Sequence, residues 1–205
     1  MKNVVLLTAM GLFSFGVFAQ EGEDQVERKV RFGFNFSANY SNLYSNDALP
    51  NDAEVSNGPG FGLGVLMDYS ISEKWMISPK SELSLYNSGV DLTNSEGTVA
   101  RYDVFPAAIN SMVHVAYKIG DGKMLPYFFV GPTFRVPVSL ETGETTTFES
   151  TPDLAFDLGF GLENKLKHFI FAPELKYTFG FMDVNNNPAL QSLNFHSVSL
   201  ILNFK

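Results

Sequence analysis

The sequence of 205 residues contains no cysteine and few charges, since only 18% of its residues are Asp, Glu, Lys or Arg. Without cysteine the chain cannot form a disulfide scaffold, a thiolate metal site or a lipid-modified N-terminal Cys. Lys and Arg number 14 against 22 Asp and Glu, and this net charge of −8 argues against nucleic-acid binding. Phe is abundant, with 20 copies. Such an aromatic, weakly charged chain is not typical of a helical cytosolic enzyme.

Long apolar runs are also scarce, and the one at the N-terminus has the form of a secretory signal. Lys2 precedes an uncharged apolar stretch that ends in an A-x-A-like cleavage site after Ala19. We therefore predict a cleaved signal peptide over 1–19, a short periplasmic segment over 20–28 and one domain over 29–205. Beyond the signal no apolar run approaches the ~18 residues of a transmembrane helix, so membrane entry would require strands.

Eight segments of the chain after residue 28 alternate between large apolar residues and small or polar ones. The most regular is the sixth, in which Leu154 and Phe156 alternate with Ala155 and Asp157. The fourth spans roughly 101–118. Alternation of period 2 indicates β-strands with two different faces, and no stretch shows a convincing helical period.

The links between these segments alternate in length. Three are short, at 70–74, 119–123 and 164–165, and four are long, at 39–57, 87–100, 139–152 and 182–194. Within the short links, Asp121-Gly122 supplies the positive φ that a tight hairpin needs. Short turns at one rim and long loops at the other are typical of outer-membrane barrels. We therefore predict an all-β, eight-stranded antiparallel up-and-down transmembrane β-barrel.

The size of the residues on the two faces favours a membrane barrel over a soluble one. The apolar face is uniformly large, with Phe, Leu, Val and Tyr, whereas the other face is mostly Gly, Ser, Ala, Asn and Thr with isolated charges. A soluble exported barrel that binds small apolar ligands would show many long charged side chains to water. A face of small residues instead fits the narrow interior of an eight-stranded membrane barrel, which side chains fill. We predict that the protein is located in the outer membrane, and we keep the soluble barrel as an alternative.

The long loops carry acids and no Lys or Arg. Their nine acids are Asp47, Asp52, Glu54, Asp91, Glu96, Glu141, Glu144, Glu149 and Asp183. The short turns are mixed to basic in charge. The two rims are therefore expected to face different surroundings, with the acidic loops outside the cell.

Three stretches carry a resemblance to a known family. They are the P-E-L-x-Y-x-x-G segment Pro173–Gly180, the aliphatic-x-Pro element Val104-Phe105-Pro106, and the P-Y-x-x-x-G-P strand within Leu125–Pro132. They resemble the PorT-like outer-membrane β-barrel family of Bacteroidetes, Gram-negative bacteria, with its OmpA/OmpX-type eight-stranded architecture. The resemblance extends over essentially the whole chain after the signal. It implies a cell-envelope location, and some family members assist protein secretion.

Histidines are the candidates for lipid-modifying chemistry, because some outer-membrane barrels of this size are lipid hydrolases that use His and Ser. They are His114, His168 and His196. His196 precedes Ser197, but adjacent strand residues point to opposite faces, so the two do not form a general-base pair. His114 stands alone on the inner face and His168 lies at a short turn.

One loop has part of a calcium-binding pattern. Residues 183–187 show the D-x-N-x-N spacing of an EF-hand loop, but Pro188 replaces the Gly at the sixth place and Asn194 replaces the Glu at the twelfth. We therefore reject an EF-hand. The sequence predicts no catalytic, cofactor-binding or metal-ligating residue, and no cofactor.

Isolated charges fall on the small-residue face of the predicted strands. They are Arg31, Asp68, Lys80, Glu82, Arg135, Asp157, Glu163, Glu174 and Lys176. In a narrow and partly dry interior each charge needs a partner, so we predict a structural network of ion pairs. An open pore would need a wider barrel than eight strands provide.

Together these patterns predict a non-enzymatic outer-membrane protein with an envelope structural or surface-interaction role, which includes the option of an accessory role in protein secretion. Its expected surroundings are outer-membrane lipid and lipopolysaccharide, and its assembly is expected to use the outer-membrane insertion machinery. We expect a monomer that binds no nucleic acid. The alternatives are an outer-membrane lipid-modifying enzyme and the soluble barrel.

Overall fold

The structure is a computed structural model that describes residues 29–45, 53–93, 99–138, 151–184 and 192–205. Within these ranges all regular structure is β-strand. The strands are β1 (Val30–Ser45), β2 (Ala53–Ser56), β3 (Gly58–Ser70), β4 (Trp75–Leu85), β5 (Gly89–Thr93), β6 (Val99–Asp103), β7 (Ala107–Lys118), β8 (Met124–Pro137), β9 (Asp153–Lys165), β10 (Ile170–Gly180) and β11 (Leu193–Phe204). The predicted signal peptide over 1–19 and the segment 20–28 lie outside the described residues.

Eight of these strands close into a barrel in the order β1-β11-β10-β9-β8-β7-β4-β3, and β3 returns to pair with β1. All eight pairings are antiparallel, so the predicted eight-stranded antiparallel barrel is confirmed. No helix among the described residues is long and apolar enough to cross a membrane.

The tight hairpins all lie at one end of the barrel, which we call the turn rim. They connect β3 to β4, β7 to β8 and β9 to β10, and β1 begins and β11 ends at the same rim. In the β7–β8 hairpin Gly120 and Gly122 have φ of +76° and +128°, a region that glycine enters without steric cost. The opposite end, which we call the loop rim, carries the long connections.

Three short strands form a second sheet beyond the loop rim, in the order β2-β5-β6. β2 and β5 lie within the connections predicted as the loops 39–57 and 87–100, and β6 begins in the second of them, so the prediction that these connections contain no strand is wrong. The predicted fourth strand over 101–118 is also wrong at its start, because Arg101 lies in β6 and the barrel strand begins at Ala107. Phe105 has a φ of +52° and Pro106 has no N–H for a ladder, and these two residues separate the strands.

Strand β1 also continues to Ser45, well into the predicted loop over 39–57. Beyond Ala38 its inward residues are Asn39, Ser41 and Leu43, and its outward residues are Asn42 and two tyrosines. The alternation of apolar with polar residues is lost there, although the alternation of burial continues. Apolar periodicity therefore could not mark this half of the strand.

The large apolar residues cover the outside of the barrel, and the small and charged residues fill the inside. On β1, Phe32 is 71% exposed, whereas Asn35 on the other face is fully buried. An exterior of exposed Phe, Leu, Val and Tyr is stable against lipid and costly against water. The alternative of a soluble barrel is therefore wrong.

The interior of the barrel depends on small residues at particular positions. At Gly62 of β3, an added Cβ would lie 2.5 Å from Oγ of Ser37 and 2.7 Å from Oε1 of Glu82. Both distances are far below van der Waals contact. The absence of a side chain on this part of β3 thus makes room for polar groups from β1 and β4.

Candidate functional site

The centre of the barrel interior contains an ion pair that joins opposite walls. Nζ of Lys80, on β4, donates to Oε1 and Oε2 of Glu174, on β10, at 2.8 and 2.6 Å. The hydroxyl of Tyr127, on β8, donates to Oε1 of Glu174 at 2.7 Å. Because these side chains meet across the interior at hydrogen-bond distance, an ion path at this depth would have to break the pair.

A second cluster surrounds the carboxylate of Asp157, on β9. Thr133 and Thr178 donate to it at 2.6 and 2.7 Å, and Nζ of Lys176 lies 3.2 Å from Oδ2. Nε2 of His114 also lies 2.9 Å from Oδ2, and its ring stacks on Phe129. His114 therefore belongs to a structural cluster of buried groups, rather than standing alone on the inner face.

Two more carboxylates are paired nearer the turn rim. Oε1 and Oε2 of Glu163 lie 3.6 Å from Arg31 and 2.9 Å from Lys118 respectively. Oδ2 of Asp68 lies 2.5 Å from Nζ of Lys205, and Ser78 donates to Oδ1 at 2.6 Å.

Near the loop rim, Arg135 is enclosed by aromatic rings. Its Nη1 pairs with Oδ2 of Asp153 at 2.7 Å, and its guanidinium carbon lies 4.4 Å from the ring centre of Phe195. The rings of Tyr86 and Phe105 lie at 5.5 Å. Cation–π contacts of this kind strengthen when the cation is removed from water.

An apolar cluster lies at the mouth of the barrel above Arg135, and we call it the mouth cluster. Its buried members are Leu43, Val90, Val104, Phe105, Ala108, Val184, Leu193 and Phe195. Ala53 and Val55 of β2 pack against it from outside. Residues from the barrel and from the second sheet thus form one continuous apolar core.

The structure brings some of the nine inward charges together and gives others partners that the sequence reasoning did not name. Lys80 pairs with Glu174, and Lys176 pairs with Asp157. Glu82 accepts a hydrogen bond from Ser84 at 2.5 Å and makes no ion pair with the described residues. The partners that were missed are Lys118, Asp153 and Lys205. Their odd or even position along each strand, which assigns a side chain to the inner or the outer face, was the signal that could have identified them.

The remaining candidates for chemistry are not assembled into a catalytic or metal site. His196 lies on the outer face and Ser197 on the inner face, and His168 is exposed at the turn rim. No group of three or more His, Cys, Asp or Glu is placed to hold a metal ion in the part of the chain that the structure describes. Asp183 accepts a hydrogen bond from the backbone of Leu193 at 2.9 Å, and most of the Asn-rich segment after it lies outside the described residues.

A closed barrel of eight strands with a lipophilic exterior and a charged, filled interior defines the class of transmembrane barrels found in outer membranes. The chain belongs to the family described as outer membrane protein beta-barrel domain, whose model matches residues 18–186. The protein is accordingly located in the outer membrane. In such barrels the short turns face the periplasm and the long loops face outward, so we expect the loop rim to be the extracellular one.

Solved structures agree with this assignment at the level of the fold. The chain is similar to Neisserial surface protein A, with 12% identity and a TM-score of 0.55 over 86% of this chain and 98% of the other. It is also similar to the outer membrane protein OprG from Pseudomonas aeruginosa, with 13% identity and a TM-score of 0.52 over 85% and 92% of the two chains. No curated protein matches the chain at a significant level.

Proposed function

We propose that the protein is a non-enzymatic envelope protein in which a filled barrel holds an extracellular surface in place to bind other molecules. The observation that carries the proposal is the packing of the second sheet against the barrel at its mouth. Val90 of β5 and Val104 beside β6 are fully buried in the mouth cluster, together with Phe195 of the barrel. The second sheet is therefore packed onto the barrel and does not depend on its connections alone for its position.

The outer face of this second sheet has a defined arrangement of charge. Glu54, Asp91 and Arg101 are register neighbours across β2, β5 and β6. Arg101 donates to Asp103, Ser56 and Asn87 at 2.8, 3.1 and 2.9 Å. The predicted loop 87–100 contains no Lys or Arg. Arg101 nevertheless brings a cation to the second sheet, because β6 extends into the segment that the sequence predicts as a barrel strand.

The acids on the second sheet indicate the chemistry of a partner. Glu54 and Asp91 lie directly opposite each other on neighbouring strands, and like charges in that position destabilise a sheet. A partner that supplies Lys or Arg at this place relieves the repulsion, so we expect a basic protein segment. An accessory role in protein secretion, as in the PorT-like family that the motifs resemble, fits such a surface.

The proposal also includes the surroundings of the protein. The chain is exported by a signal peptide over 1–19 and inserted by the outer-membrane insertion machinery. It stands as a monomer among outer-membrane lipids, with lipopolysaccharide in the outer leaflet. Phe, Leu, Val and Tyr on the exterior support direct contact with lipid.

The experiment compares a deletion strain complemented with the wild-type protein or with the double variant Glu54→Gln and Asp91→Asn. The proteins cross-linked to the cell surface and those released into the medium are identified by mass spectrometry. We expect the double variant to insert normally but to lose captured or released proteins that the wild type restores. Glu73→Gln, which neutralises an exposed acid at the turn rim, is the matched control and should behave as wild type.

The outcomes that overturn the proposal are also defined. If the cross-linked and released proteins are the same in the deletion strain, the double variant and the wild type, the protein has no interaction role. A change in the acylation pattern of lipid A in the deletion strain would favour the lipid-modifying enzyme instead.

A further inference from the structure

The lipid-facing wall changes character in one sector of the extracellular half. On most strands the outward residues stay apolar up to the loop rim, as with Leu154 and Phe156 of β9 and with Phe134 and Val136 of β8. On β11 the apolar series from Phe204 ends at Val198, and His196 follows it toward the loop rim. Among the described residues, the extracellular ends of β1 and β11 therefore form a polar sector of the exterior.

The residues of this sector form a cluster that we call the His196 patch: Asn42, Tyr44, Tyr177, Phe179 and His196. Asn42 and His196 are register partners on β1 and β11. The His196 ring lies edge to face between Phe179 and Tyr44, with ring centres 5.1 and 6.4 Å away. The hydroxyl of Tyr177 lies 3.1 Å from Nδ1 of His196. Tyr44 is 55% exposed on the outer surface.

The contact with Tyr177 determines what the histidine offers to a ligand. When the Tyr177 hydroxyl donates to Nδ1, the ring proton of a neutral His196 is on Nε2. His196 then presents an N–H donor beside two aromatic faces, with the amide of Asn42 on the adjacent strand. Donors combined with flat apolar surface bind ligands that have acceptor oxygens along one edge and an apolar face.

Hydrocarbon cannot satisfy these polar groups, but a lipid headgroup can. His196 lies three residues from the outer end of β11, about 10 Å along the strand at ~3.3 Å per residue. At that depth on the extracellular side the neighbouring molecules are the lipids of the outer leaflet, at the level where aromatic belts meet the interface.

We propose that the His196 patch is a binding site for the phosphorylated amino-sugar headgroup of an outer-leaflet glycolipid. The rings of Tyr44 and Phe179 contact the apolar face of a sugar ring, and Nε2 of His196 and the amide of Asn42 donate to its hydroxyl or phosphate oxygens. The proposal rests on the outer-membrane location and deepens the lipid contacts of the proposed function. It does not depend on the second sheet.

The experiment measures lipid binding to the full mature protein in detergent micelles by native mass spectrometry. The probes are bis-phosphorylated lipid A and phosphatidylglycerol, titrated separately. The variants are Tyr177→Phe, which removes one hydroxyl, and His196→Phe, which keeps a ring. Tyr69→Phe is the matched control, because Tyr69 is an outward tyrosine of β3 at the turn rim with 42% exposure.

We expect the wild type to prefer lipid A over phosphatidylglycerol. His196→Phe should weaken lipid A binding by about fivefold, as expected for a lost hydrogen bond, and Tyr177→Phe by a smaller factor. Phosphatidylglycerol binding and the Tyr69→Phe variant should be unchanged. Heat-dependent gel mobility of every variant verifies that the barrel is folded and separates a failure of this site from a failure of the barrel itself.

Three results would overturn the proposal. One is equal lipid A affinity in the wild type, Tyr177→Phe and His196→Phe. Another is an equal loss in the Tyr69→Phe control. The third is a wild-type dimer in lipid-free micelles that His196→Phe converts to a monomer, because the patch would then bind a second copy of the chain.

Discussion

Lys80 and Glu174 connect diametrically opposite strands of the barrel, with Nζ and Oε2 only 2.6 Å apart. Four strand steps separate β4 from β10 in either direction around the wall. Both side chains are at most 2% exposed. The pair thus fixes the distance between two walls that have no backbone hydrogen bond to each other.

Replacing Lys80 with Met should destabilise the barrel by about 3 kcal/mol, because it leaves a buried carboxylate without its cation. Urea unfolding of protein reconstituted in lipid vesicles measures the change. The coupled variant Lys80→Met with Glu174→Gln should recover part of the loss. Lys123→Met, at an exposed turn, is the control and should unfold as wild type. If the single and coupled variants unfold at the same urea concentration as wild type, the pair has no structural role.

Gly62→Ala should destabilise the barrel by about 2 kcal/mol, a typical cost of overpacking. The added methyl group would collide with Ser37 and Glu82, as their distances from an ideal Cβ show. A second change, Ser37→Gly, removes one of the two clashes and should restore part of the stability. The same unfolding assay serves here, and a stable Gly62→Ala protein without the second change would contradict the argument.

Reconstituted wild-type protein should show no steady single-channel conductance in planar bilayers. The reason is structural, because the Lys80–Glu174 pair crosses the interior and the mouth cluster packs at the loop-rim end of the barrel. Conductance is measured across several voltages, with a wide porin as the positive control. Stable open levels that follow the protein concentration would show that the interior opens.

The mature chain should begin at Gln20. This follows from the predicted signal peptide over 1–19, which ends in a small-residue cleavage site. Mass spectrometry of the protein from the outer-membrane fraction identifies the terminal peptide. A peptide that still contains residues 1–19 would mean that the segment remains as an anchor.

Sequence reasoning succeeds where the two faces of a strand contact different media. On β9, Leu154, Phe156 and Leu158 face lipid while Ala155 and Asp157 face the interior, and the sequence alternates accordingly. On the outer half of β1 both faces carry polar residues, so the same rule fails. The strands of the second sheet are only 4 or 5 residues long, too short for periodicity to identify.

The ion pairs are predictable only in part, for a related reason. Parity places Lys80 and Glu174 on the inner face, but they are 94 residues apart in the chain. Which cation meets which carboxylate depends on the register of every strand between them and on the depth of each side chain. Parity also marks Lys118 and Lys205 as inward, and counting them would have supplied partners for Glu163 and Asp68.

The interior ion pairs join strands that are distant in the chain, and this arrangement constrains the order of assembly. Arg31 on β1 meets Glu163 on β9, and Lys80 on β4 meets Glu174 on β10, so each pair needs strands from distant parts of the chain. A half-inserted wall would carry these charges without their partners in a low-dielectric setting, at high free energy. Partially closed intermediates should therefore be short-lived. We expect insertion and closure to occur as one cooperative kinetic step, limited by the arrival of the final strand.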